Sequence, residues 1–169
     1  MPAITLYEVS IGTFIKGLKT LTAVLEKAAT HAKDKGEDPD AYVTAALCED
    51  MRPLSFQVQV VSNTIKKSVW RLTGNEVESW ADDETTLAQL ITRTQRTLEL
   101  LQGISEASIT GKDDNMVELQ MGKSGTFNLA AKAYVLNYAL PNFFFHLQTA
   151  YSILRSRNVP LGKADYLTN

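Results

Sequence analysis

Four stretches of this chain repeat apolar residues every three or four positions, each for long enough to bury one face of a long helix. That pattern leaves little room for any fold but a helical bundle. The first stripe is Phe14, Leu18, Leu21, Leu25, Ala28 and Ala32, within a helix read over residues 10–35. Ser10 stands where an N-cap belongs, and Gly36 where a helix stops. Gly12 and Gly17 weaken this helix by about 1 kcal/mol each relative to alanine. The second stripe, Leu54, Val58, Val61, Ile65, Val69 and Leu72, follows Pro53, which suits a first turn, and runs to Gly74. The third, from about Thr85 to Gln102, buries Leu87, Leu90, Ile91, Thr94, Leu98 and Leu101 and stops at Gly103. The fourth runs from about Asn128 to Arg157. It contains Pro141, which removes a backbone hydrogen bond and should kink it. A chain of 169 residues with one such set of stripes reads as a single domain, 1–169, large enough to fold on its own apolar core.

The connections carry their own signals. Residues 40–48 read as a short helical turn leading inward. Residues 75–84, NEVESWADDE, form an acidic connection with Trp80 packed on the bundle. Asp82, Asp83 and Glu84 suit the N-cap and first turn of the third helix better than a metal site, because carboxylates there favour the helix dipole. Residues 116–121, MVELQM, alternate with period two, GKSG turns, and TFN returns. A β-hairpin between the third and fourth helices follows. Gly122, Lys123 and Ser124 are not a phosphate loop, since the full motif needs glycine where Val117 stands. The last residues, NVPLGKADYLTN, read as an irregular tail that packs through Val159, Leu161, Tyr166 and Leu167.

Charge and composition exclude several partners. With 17 Lys and Arg against 19 Asp and Glu, the net charge is -2, without the basic excess of a nucleic-acid protein. Lys66, Lys67 and Arg71 cluster on the second helix and read as a solvated face. No run of 18 apolar residues exists to span a membrane. Cys48 is the only cysteine, so no internal disulfide forms, which fits a reducing compartment. The opening MPAITLYEVS lacks a charged segment followed by an apolar run, so no secretory signal is expected and the cytoplasm is the expected location.

The site candidate lies in the fourth stripe, YVLNYALPNFFFHLQTAYSIL (134–154). Asn142 and His146 are one helical turn apart on one face, and Gln57 lies beside the core seam of the second helix. These three are read as the polar groups of a pocket walled by phenylalanine, the usual form of a small-molecule site. His146 is the candidate catalytic acid or base. Asn142 and Gln57 would orient a carbonyl or hydroxyl, with Tyr138, Phe145 and Thr149 as further substrate-binding residues. With so few ionisable groups, the expected reaction is isomerisation or cyclisation of a compact apolar metabolite, helped by proximity and needing no cofactor. The alternative is a non-enzymatic bundle in which the polar trio closes a hydrogen-bond network that fixes helix register.

The runs DMRPLSFQVQVVSNT (50–64), WADDETTLAQL (80–90), YALPNFFFHLQTAYSILR (138–155) and VPLGKADYL (159–167) closely resemble an uncharacterised bacterial and fungal family. That family is a domain of unknown function within the DinB-like superfamily of helical bundles. The resemblance spans nearly the whole chain. It implies an all-α, up-down-down-up four-helix bundle and a homodimer. Better-studied members of the superfamily hold a divalent metal with one histidine from the second helix and two, at i and i+4, from the fourth. Several use it for thiol-dependent transfer or isomerisation. The resemblance maps those positions near Gln57 and onto Asn142 and His146. Only one of the three is an imidazole, and carboxamide oxygens are much weaker ligands for such metals, so no metal is expected, and a metal-dependent thiol transferase or isomerase of the DinB type stands as a further alternative.

Overall fold

The computed structural model describes residues 3–167. Among them, α1 (Thr13–Lys35), α2 (Leu54–Thr73) and α3 (Leu87–Gln102) precede a hairpin of β1 (Met116–Gln120) and β2 (Thr126–Ala130). The final long helix follows in three continuous parts: α4 (Ala131–Tyr134), a π turn (Val135–Ala139) and α5 (Leu140–Ser156). A short α6 (Lys163–Leu167) ends the described chain. No helix among the described residues is long and apolar enough to cross a membrane.

Specific bonds fix the helix directions. Asp38 and Asp40 follow the end of α1, and Asp40 Oδ1 accepts from the backbone N–H of Leu87 at 2.8 Å, so α1 ends where α3 begins. Leu54 N–H donates to Ala45 O at 2.9 Å, which brings the start of α2 to the same loop. α2 and α3 therefore run in the same direction, opposite to α1. The last helix runs back along α2, since His146, Asn142 and Tyr134 bond in turn to Gln57, Thr64 and Ser68. The result is the up-down-down-up order.

All six apolar residues of the α2 stripe are buried, as are Phe14, Leu18, Leu21, Leu25, Ala28 and Ala32 of α1. Hydroxyl pairs supplement the apolar contact. Thr22 bonds Thr94 at 2.8 Å, and Ser62 bonds Thr97 at 2.9 Å, stitching α3 to α1 and α2. Gly17 has a role beyond weakening its helix. A Cβ there would lie 2.5 Å from the Phe143 ring, which is fully buried and packs edge-on against Phe14. The glycine lets the last helix approach α1.

Several local expectations are corrected. Ser10 does not cap the first helix. The helical backbone begins at Leu6, where Thr5 and Glu8 form a reciprocal cap: Thr5 N–H donates to Glu8 Oε2 at 2.8 Å, and Glu8 N–H to Thr5 Oγ1 at 3.1 Å. Ser10 lies inside a π turn (Glu8–Gly12), buried, and donates to Leu6 O. Residues 40–48 make only a 3₁₀ turn, Pro39–Tyr42, before irregular backbone. The last helix starts at Ala131, because Thr126–Ala130 pair as β2 in the register Val117↔Leu129 and Leu119↔Phe127. Ahead of Pro141 the helix widens into the π turn, in which Leu140 N–H reaches back to Val135 O. The tail is not wholly irregular: Asp165 Oδ2 accepts from Gly162 N–H and opens α6, with Val159 and Leu161 buried behind it. Thr168 and Asn169 lie outside the described residues.

The acidic connector also departs from its expected role. Thr86 is the N-cap of α3, in a capping box with Gln89. Asp82 and Glu84 instead hold the buried Arg93, each at 2.7 Å, and Ala81 O accepts from the same guanidinium. Trp80 does pack on the bundle, but on cations. Lys66 Nζ stands 4.2 Å and the Arg96 guanidinium 4.0 Å from its ring. Lys66 is buried here rather than solvated. Burial, then repulsion from Arg93, pushes its ammonium below the usual lysine range.

Candidate functional site

A cleft of about 270 Å³ opens between α2 and the last helix, closed at one end by Leu119 and Gln120 of β1. Its last-helix wall is Tyr134, Tyr138, Asn142 and His146, four residues apart throughout. On a regular α-helix each step of four overshoots a full turn by about 40°, so this row would drift off the cleft. The π turn between Tyr134 and Pro141 corrects the drift. Its wider i→i+5 winding turns each residue through a smaller angle, keeping Tyr134 in line with the pair below. Asn137, on the opposite side of that turn, is exposed and takes no part.

The floor is a chain of oriented bonds. Gln57, on the first turn of α2, is buried and donates its amide N–H to Arg52 O at 2.9 Å. That bond fixes which end of the carboxamide faces α5: Oε1 meets His146 Nδ1 at 2.7 Å. An amide oxygen only accepts, so Nδ1 carries the proton and Nε2 carries the lone pair. Nε2 has no partner among the described residues and is not sealed from solvent. Burial holds His146 below its usual value near 6.5, which keeps the ring neutral at physiological pH. One turn earlier, Asn142 donates to Thr64 Oγ1 at 2.8 Å and leaves its own oxygen unspent.

The other end of the cleft is basic and aromatic. Tyr134 is fully buried, with its hydroxyl 2.9 Å from Ser68 Oγ and its ring stacked on Tyr138. Burial pushes its phenol above the usual range. Arg71 lies 5.1 Å from the Tyr134 ring centre, donates Nε–H to Glu118 O at 2.8 Å, and so ties β1 to α2. Lys67, one turn back, stands exposed at the rim.

Thus Asn142, His146 and Tyr138 line the cleft, and Gln57 lies behind them, bonded to His146 with both ends of its carboxamide spent on protein groups, whereas Phe145 and Thr149 do not join them. Phe145 is 60% exposed on the outer surface, its ring edge-on to His146 at 5.1 Å. Thr149 is buried and donates its hydroxyl to Phe145 O of its own helix. The expected phenylalanine walls are also absent. Phe143 is in the core and Phe144 points outward, and among phenylalanines the cleft takes only Phe56, from α2. Sequence reasoning missed Tyr134, Lys67 and Arg71. The i, i+4 spacing of Lys67 and Arg71, and of Tyr134 and Tyr138, was the available signal.

The three positions implied for metal ligands do not fit a divalent ion. Gln57 Oε1 and His146 Nδ1 are spent on each other, leaving one imidazole nitrogen and one amide oxygen. No cluster of three or more His, Cys, Asp or Glu side chains suited to a metal occurs among the described residues.

A helical bundle in up-down-down-up order, with its cleft between the second and last helices and a hairpin at one end, is a DinB-like fold. The crystal structure of a DinB family member protein from Shewanella denitrificans matches it with a TM-score of 0.87 and 36% identity, over 97% of this chain and 92% of that one. Within that class, residues 6–167 match the family described as a domain of unknown function, DUF1993, and the chain belongs to it. Among curated proteins no relative matches.

Proposed function

We propose that this protein binds a small molecule in the cleft beside His146 and acts on it without a metal, as an isomerase or cyclase. One observation carries the reading: the Arg52–Gln57–His146 chain leaves a neutral imidazole with an unprotonated Nε2 at the cleft. Such a nitrogen is a competent general base or hydrogen-bond acceptor. Asn142 Oδ1 beside it would accept from a substrate hydroxyl or amine. In an isomerisation His146 Nε2 takes a proton from one carbon and returns it to another, and the cleft's shape supplies orientation. The sequence-based picture of an apolar substrate is revised in this proposal, because the cleft is lined largely by polar and basic groups. The cytoplasm and a homodimer belong to the proposal too. Leu136, Phe144 and Phe145, apolar and exposed on the last helix, support a partner copy against that helix.

The test is hydrogen exchange at carbon. A panel of compact metabolites incubated in D₂O with the protein should include one whose acidic C–H exchanges, and His146→Asn should abolish that exchange. Exchange that survives the substitution sinks the base assignment.

A second reading has its own support. Gln57, Asn142 and His146 each bond to a protein partner on another segment, as a register-fixing polar layer would. On that reading His146→Asn changes stability and no ligand binding.

A further inference from the structure

The charge in the cleft is one-sided. Lys67 and Arg71 both line it, one turn apart on the same face of α2, and no Asp or Glu does. Neither cation forms an ion pair among the described residues, although the chain holds 19 carboxylate side chains. Like charges at i, i+4 repel, so the pair is unfavourable until an anion joins it. Arg71 is also preset for such a guest. Its stacking on Tyr134, the Nε–H bond to Glu118 O and a long NH1 bond to the Tyr134 hydroxyl at 3.4 Å hold the guanidinium in place. Three of its five N–H groups remain unspent, and a fixed guanidinium fork matches a carboxylate in two parallel bonds. Between this end and His146, the rings of Phe56 and Tyr138 line the cleft, and both are only partly buried, so they can meet an unsaturated body.

We infer that the cleft's ligand is a compact carboxylate with an aromatic or unsaturated body. Its carboxylate sits between Lys67 and Arg71, and its body lies against Tyr138 and Phe56 toward His146 Nε2. This rests on the small-molecule reading of the same cleft and names the ligand class.

Benzoate is the probe and benzamide its neutral counterpart, each titrated while backbone and imidazole NMR signals are followed. Benzoate should shift the signals of Lys67, Arg71, Tyr138 and Asn142 saturably, and benzamide should bind at least about tenfold more weakly. Lys67→Met and Arg71→Met should each weaken benzoate by about fivefold or more, and added salt should weaken it further. Arg71→Met also loosens the hairpin, whereas the Lys67 ammonium holds no partner among the described residues, so Lys67→Met tests the charge alone. Equal binding of benzamide and benzoate in the cleft overturns the carboxylate assignment and leaves the small-molecule reading standing. If neither compound shifts Tyr138, Asn142 or His146, both readings fall.

Discussion

Gln57 Oε1 accepts a hydrogen bond from His146 Nδ1–H at 2.7 Å, and this single bond sets the chemistry of the cleft. The glutamine is not free to rotate its amide, because Arg52 O already accepts from its N–H. A histidine on this helix face alone has either tautomer; beside this glutamine it has one.

Gln57→Glu should reverse the pH dependence. In the native protein His146 is held below 6.5 by burial, so the folded state releases the proton that the unfolded chain keeps. Its contribution to stability is therefore present above 6.5 and is lost as pH falls through the lower, folded value. A carboxylate at position 57 favours the imidazolium and raises the folded value, and the contribution is then lost as pH rises instead. Urea unfolding between about pH 5 and 7 should show slopes of opposite sign for the two proteins.

Arg93 anchors the connector to the bundle. It is buried and bonded to Asp82, Glu84, Asn63 and Ala81 O. Arg93→Met leaves Glu84, only 12% exposed, without its cation, and should cost about 3–5 kcal/mol in denaturant unfolding. Asp82→Asn should cost less than about 1 kcal/mol, since Asp82 is 47% exposed.

Gly17→Ala should destabilise although alanine is the better helix former. The gain of about 1 kcal/mol in propensity is outweighed by a Cβ driven into the buried Phe143 ring. A net loss of about 1–2 kcal/mol is expected. In the background of Phe143→Leu the same substitution should lose much less, a non-additivity that a double-mutant cycle measures.

The repeats of apolar residues made the helices legible, and the period-two run at Met116–Gln120 did the same for the hairpin. Helix starts were less legible. Thr5 and Glu8 carry a capping signature as clear as that of Ser10, and only the buried environment of Ser10 decides between them. The π turn was not readable either, since its extra residue is detectable only once Tyr134 is seen in line with Asn142. Gln57, Asn142 and His146 are legible from helical spacing and from the resemblance, because an i, i+4 polar pair in an aromatic helix stands out in the sequence. Arg71 and Lys66 belong to one charged run, yet one borders the cleft and the other is buried under Trp80. That separation depends on where the connector lies, which no local pattern encodes.

The most direct measurement is a long-range ¹H–¹⁵N NMR titration of the His146 ring. The bond to Gln57 predicts a neutral imidazole protonated at Nδ1, with an unprotonated Nε2 signal at pH 7 and a midpoint below 6.5. A ring protonated at Nε2, or a midpoint at or above 6.5, would contradict the account.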